Sequence, residues 1–93
     1  MVVYCVYILE VITKNGKIEF YTGYTNNLLR RWKEHRNGTG AKFCRGKGIE
    51  LKYYEYFPNR KDAMKREIQI KSFPKQKKRQ LIESINNNSK KLY

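Results

Sequence analysis

Two β-prone runs flank the dipeptide Asn15-Gly16, and that arrangement fixes how the chain begins. The first run, Val2–Leu9 ("VVYCVYIL"), is apolar almost throughout and lacks polar alternation. Such a run suits a central strand covered on both faces. Asn-Gly is a strong hairpin-turn pair because both residues tolerate the positive φ angles of a tight turn. Ile18–Gly23 then returns as a second strand, so the two runs are predicted to pair antiparallel.

The rest of the chain divides at similar local signals. Asn26 or Asn27 is placed to cap a helix carrying Leu28, Trp32 and His35 at helical spacing, with its stop near Asn37-Gly38. The segment 38–48, "GTGAKFCRGKG", holds four glycines and three basic residues and reads as a loop. Ile49–Phe57, "IELKYYEYF", alternates through Ile49, Leu51, Tyr53 and Phe57 and predicts a third strand. Pro58-Asn59 ends it, and Asn59 with Asp62 forms a cap for a second helix through Ala63, Met64, Glu67, Ile68 and Lys71. Pro74 suits the first turn of a third helix running through Leu81, Ile82 and Ile85. The expected organisation is one domain over residues 1–86 and a frayed polar tail over 87–93. The expected fold class is α+β, a three-stranded antiparallel sheet flanked by helices in the order β-β-α-β-α-α.

At 93 residues the chain is sized for a single domain. A fold of this length buries only about 60–65% of its unfolded surface, so every inward charge is noticeable. The net charge of +13 comes from 21 Lys+Arg against 8 Asp+Glu and favours a polyanionic partner, nucleic acid above all. A membrane is not an expected partner: no stretch reaches ~18 apolar residues, and no helix combines a broad oily face with a basic one. The opening "MVVYCVYILE" lacks the positive n-region and small-residue cleavage site of a signal peptide. Cys5 and Cys44 show no CxxC spacing and there is a single histidine, which argues against a four-ligand zinc site. Free thiols and a cytoplasmic location are expected.

Several side chains stand where a thin core would not want them. If Leu28 and Trp32 face inward, Arg31 and His35 lie on the same side of that helix or at its edge. A lone arginine in such a place ordinarily drapes its stem over the core and lifts its head to water. Glu67 falls between Ala63 and Ile70 on an inward stripe, where a carboxylate costs several kcal/mol unless paired or holding a cation. An i,i+4 pair with Lys71 accounts for it alone, whereas inward charges of opposite sign on two helices, Arg31 and Glu67, suggest a polar site where the helices meet the sheet. Tyr7 and Tyr21 are about equally far from the turn and are expected as near neighbours across the hairpin, an ordinary aromatic pairing in itself. Walker A spacing is absent, and with Asp62 the only aspartate neither a Ser-His-Asp set nor a paired-carboxylate glycosidase site is well served.

Taken in order, these residues resemble a GIY-YIG nuclease domain. The name motif corresponds to Cys5-Val6-Tyr7, with cysteine where the family has glycine, and to Tyr21-Thr22-Gly23. The family's arginine matches Arg31 in "NNLLRRW", the residue one turn later matches His35, and the family's glutamate matches Glu67 in "AMKREIQIK". The match spans about Tyr4 to Lys71 and is nearest to the small stand-alone, UPF0213-like proteins of the superfamily, which share a segment like "GAKFCRGKG". Each motif alone is weak, and their order makes the signal specific.

The resemblance implies a metal-dependent endonuclease that hydrolyses DNA phosphodiester bonds, structure-selective or non-specific and acting in DNA repair, with RNA left open as a substrate. Arg31 would stabilise charge on the scissile phosphate, Glu67 would hold one Mg²⁺ or Mn²⁺ ion, and Tyr7 or Tyr21 would serve as base, with His35 orienting it or sharing its proton. A Mg²⁺ ion keeps several waters, so one protein carboxylate is a reasonable anchor. Lys42, Arg45 and Lys47 in the Gly-rich loop, and Lys71 on the second helix, are the candidate phosphate contacts. Lys75, Lys77, Lys78 and Arg79 either extend that track or form a solvated face. A monomer is expected, with a protein partner as one source of specificity. The competing readings are a nucleic-acid-binding module with little activity of its own and a nuclease subunit active only in a complex.

Overall fold

The computed structural model describes residues 3–91, as β1 (Tyr4–Ile12), β2 (Ile18–Thr25), α1 (Leu28–Arg36), a 3-10 turn (Lys42–Cys44), β3 (Gly48–Phe57), α2 (Arg60–Lys71) and α3 (Lys75–Lys91). The strands form one antiparallel sheet in the order β2-β1-β3, with the apolar first strand in the middle. The fold class and element order agree with the sequence reading. Val2 lies outside the described residues; β1 begins after Val3 and continues past Leu9, because Glu10 still pairs with Phe20 and Glu50, and Ile12 with Ile18 and Gly48. The Asn15-Gly16 turn is present, with Gly16 at φ +78° and its N–H donating to the Thr13 carbonyl at 2.9 Å.

Register places the side chains. Tyr7 stands opposite Gly23, and Leu9 opposite Tyr21, so Tyr7 and Tyr21 are diagonal neighbours on one sheet face. The alternation read along β3 is broken by a bulge: Ile8 pairs with Tyr53 but Leu9 with Leu51, leaving Lys52 as the extra residue. An extra residue shifts the alternation by one. Ile49 and Leu51 therefore face the same side as Tyr7, Leu9 and Val11, whereas Tyr53 and Phe57 join Val6 and Ile8 on the other side.

Each face has its own cover. Leu28 and Trp32 of α1, with Ala41 and buried Cys44 from the loop, close over Tyr7, Leu9 and Val11. Ala63 and Ile70 of α2, Phe73, and Leu81 and Ile82 of α3 close over Val6 and Ile8. Fully burying a side chain such as Ile8 or Ile70 contributes about 1.5–3 kcal/mol. Met64 and Ile68, which helical spacing also picks out on α2, point to solvent. Asn59 caps α2 by accepting from the Asp62 N–H at 2.9 Å, and Pro74 supplies the first carbonyl of α3. The segment read as a polar tail continues α3 to Lys91. Leu92, Tyr93 and the surroundings of Ile85 lie outside the described residues.

Arg66 ties α2 to β3. Its Nε and Nη2 both donate to the Glu55 carboxylate, at 3.1 and 2.9 Å, and the Tyr53 hydroxyl donates to the same group. Burial and that carboxylate push the Tyr53 phenol up to about 12. Both cysteines are buried and free, and burial pushes Cys5 up to about 11. Among the described residues no helix is long and apolar enough to cross a membrane.

Candidate active site

The site residues are positioned by α1 and the two strands beneath it. Asn27 starts α1: its side chain accepts from the Arg30 N–H at 3.0 Å, while its own N–H donates to Thr25 Oγ1 at 3.1 Å. The helix is thereby pinned to the end of β2. Two turns on, His35 points inward and is only 2 % exposed.

His35 is held at both nitrogens. Its Nε2 lies 2.9 Å from the Tyr7 hydroxyl, and its Nδ1 accepts from the Ala41 N–H at 3.4 Å. A backbone N–H cannot face a protonated Nδ1, so the imidazole is neutral with its proton on Nε2, donated to Tyr7. Burial, with the Arg31 charge adding to it, holds the His35 pKa below its ordinary value and favours the same state.

Two glycines allow this close approach. A Cβ on Gly23 would sit 2.6 Å from the Tyr7 hydroxyl oxygen, and a Cβ on Gly40 would sit 2.5 Å from His35 Nδ1. The glycine of the second name motif thus leaves room for the phenol of the first, and the loop glycine seats the imidazole. The loop is fastened where it turns: the Thr39 and Gly40 N–H groups both donate to the Glu34 carbonyl at 3.0 Å.

Arg31 borders the same cluster and is a third exposed. Its Nη1 pairs with Glu34 at 3.0 Å, a contact that raises its pKa further. The Tyr7 phenol is pushed well above its ordinary value by burial, while the neighbouring Arg31 pulls it back. Tyr21 touches both partners through its ring, with centroids 6.4 Å from Tyr7 and 5.3 Å from His35. The structure therefore brings Tyr7, Tyr21, Arg31 and His35 together.

Glu67 is not part of that contact set. It lies on α2 between Ala63 and Ile70, and that helix covers the opposite face of the sheet from α1. Its side chain is 15 % exposed and pairs with Lys71 Nζ at 3.6 Å. Near-burial beside a mostly exposed amine that can swing away fits a carboxylate able to hold a hard, hydrated cation. The described residues contain no group of three or more His, Cys, Asp or Glu that could hold a metal by themselves. Glu67 is the residue that could hold a divalent ion, with water completing the ion's shell.

The basic candidates are spread over both sides. Lys42 and Arg45 are exposed on the loop, and Lys47 holds its Nζ 4.1 Å from the centre of the Phe43 ring. Lys71 is on α2 with Glu67. Sequence reasoning missed Phe43, whose ring stacks on Tyr21 at 6.3 Å and links the loop to the phenol cluster. It also missed Gly40, Ala41 and Glu34, which act through backbone atoms and an ion pair. An aromatic residue among loop glycines and lysines was the available signal for Phe43.

Residues 3–80 match the family model described as the GIY-YIG catalytic domain. The chain is 51% identical over 65 residues to a UPF0213 protein of Clostridium perfringens, covering 69% of this chain and 70% of that one. It is 43% identical over 79 residues to a UPF0213 protein of Haloquadratum walsbyi, covering 84% of each. Among solved structures it is similar to the solution NMR structure of the UPF0213 protein from Bacillus halodurans, with 39% identity, a TM-score of 0.50, and coverage of 87% of this chain and 83% of that one. With the name motif, the helix arginine and the sheet geometry in place, the chain belongs to the GIY-YIG catalytic domain family, a family of nucleases.

Proposed function

We propose that the protein is a divalent-metal-dependent endonuclease that hydrolyses DNA phosphodiester bonds, structure-selective or non-specific in its choice of site and serving DNA repair. The observation that carries this reading is the Tyr7 hydroxyl held 2.9 Å from a neutral His35 with Arg31 beside it. A neutral phenol is a poor base, since its ordinary pKa is about 10 and burial raises it here. A donor on Nε2 and an adjacent guanidinium are what a phenolate needs in order to exist at all. Tyr7 is the base in this reading: its phenol first releases its proton to solvent, the phenolate then takes one from the attacking water, and His35 stays a donor throughout. Arg31 is a third exposed, pairs with Glu34 through Nη1 and neighbours the Tyr7 hydroxyl, and its remaining donors can meet a phosphate oxygen. Tyr21 and Phe43 form the rim. Glu67 is the residue that would hold Mg²⁺ or Mn²⁺, and such an ion would supply charge neutralisation and a more acidic water. Lys42, Arg45, Lys47 and Lys71 add affinity through the backbone without reading sequence.

The position of Glu67 favours a second reading. A carboxylate on α2, the helix that covers the other face of the sheet from α1, fits a binding module whose catalytic set is incomplete until a partner supplies the missing group. Incubating the purified protein with linear, nicked and branched DNA, with Mg²⁺ or Mn²⁺ and with EDTA, separates the two. Metal-dependent products support the nuclease, whereas binding without product on every substrate leaves the module.

A further inference from the structure

We infer that Tyr54 and Tyr56 form a stacking platform for unpaired bases of the DNA strand engaged at Tyr7. One short helix cannot cover a sheet face: α1 has 9 residues, about 14 Å, against strands of 9 and 10 residues that run about 30 Å. The part of the face left open is where these rings stand. Tyr54 and Tyr56 are 45% and 58% exposed and meet edge to face, with centroids 5.6 Å apart. Tyr54 pairs directly with Tyr7 in the β1–β3 ladder, and Tyr56 with Cys5, so both rings share the face of the candidate base.

Charge selects the occupant. Among strand residues on that face the only carboxylate is Glu19, opposite Val11 toward the hairpin turn and away from Tyr54. Glu55, between the two tyrosines, faces the other side and is consumed by Arg66. An aromatic surface with no carboxylate among its neighbouring strand residues, on a protein of net charge +13, fits a polyanion that also carries flat rings. Paired bases are hidden in the stack, so the platform fits only unpaired or extruded ones. It therefore selects flaps, gaps and branch junctions over intact duplex.

The platform presupposes a nucleic-acid substrate and rests on the proposed function. Fluorescence anisotropy in EDTA, with a labelled single-stranded DNA, the matching duplex and the matching single-stranded RNA, tests it apart from cleavage. In the Tyr54→Ala/Tyr56→Ala variant, single-stranded DNA affinity is expected to fall roughly a hundredfold, about ten-fold per ring, with duplex affinity unchanged. The Tyr54→Phe/Tyr56→Phe variant keeps near wild-type affinity, and Tyr54→Trp fluorescence is quenched on binding. Unchanged single-strand affinity, or an equal loss on duplex, overturns the platform. Ring-dependent binding of RNA but not of DNA overturns its assignment to DNA. Ring-dependent DNA binding by a protein that cuts nothing leaves the platform standing and removes the nuclease reading. Full cleavage with ring-independent binding does the reverse.

Discussion

Tyr7 and His35 meet at 2.9 Å, hydroxyl oxygen to Nε2, across the space between β1 and α1. Because Nδ1 is already taken by the Ala41 N–H, the contact has one direction: imidazole donates and phenol accepts. Charging the ring would set its Nδ1 proton against the Ala41 N–H.

Stability therefore depends on pH through His35. Its folded pKa lies below the ordinary value, so the unfolded chain binds the proton more readily. The contribution is fully present above about pH 6.5 and is lost as pH falls toward the folded value. Urea unfolding between pH 7 and pH 5 should show stability declining by up to about 1.4 kcal/mol per pH unit from this proton. His35→Gln, which keeps a donor but does not titrate, should show a visibly flatter decline.

Gly23 has no room for a side chain. Gly23→Ala places a methyl group against the Tyr7 hydroxyl and should cost about 1–3 kcal/mol. Combining it with Tyr7→Phe removes the atom 2.6 Å away, so the double variant should be less destabilised than the sum of the single changes. Denaturant melts of the four proteins measure this directly, and strict additivity would count against the packing described.

Arg66 is the principal polar tie between α2 and β3. Arg66→Ala strands the Glu55 carboxylate, whose side chain is 23% exposed, and should cost about 1–3 kcal/mol. Glu55→Gln, leaving a neutral partner, should cost less. Melting temperature at pH 7 gives the order, and removal of Glu55 charge hurting more than removal of Arg66 would contradict it.

The hairpin and the helix caps were legible because their signals are local: Asn15-Gly16 turns, and Asn27 and Asn59 accept from backbone N–H groups three residues on. The bulge at Lys52 was not, because it exists only against β1, and it alone decides that Leu51 and Tyr53 face opposite ways. The same limit applies to the site. His35 and Arg31 could be grouped from one helix's spacing. Nothing local tells which face of the sheet α2 will cover, and so the placement of the Glu67 helix opposite α1 was invisible. Gly40 and Ala41 act through a missing Cβ and a backbone N–H, which side-chain motifs do not display.

The activity should follow the phenol that is held rather than the one at the rim. Tyr7→Phe is expected to lower cleavage by at least about a hundredfold, as loss of a positioned base does, and to abolish the rise of rate with pH. Tyr21→Phe keeps its ring contacts and should lower it much less. The opposite order would exchange their roles.

The most direct measurement is single-turnover cleavage of end-labelled DNA by the wild-type protein and by Arg31→Ala and Glu67→Ala, with Mg²⁺ or Mn²⁺ and with EDTA. The expected result is product that requires the metal and falls at least about a hundredfold in each variant, with thermal melts matching wild type. Metal-independent product, or undiminished cutting by both variants, would contradict the assignment of this site.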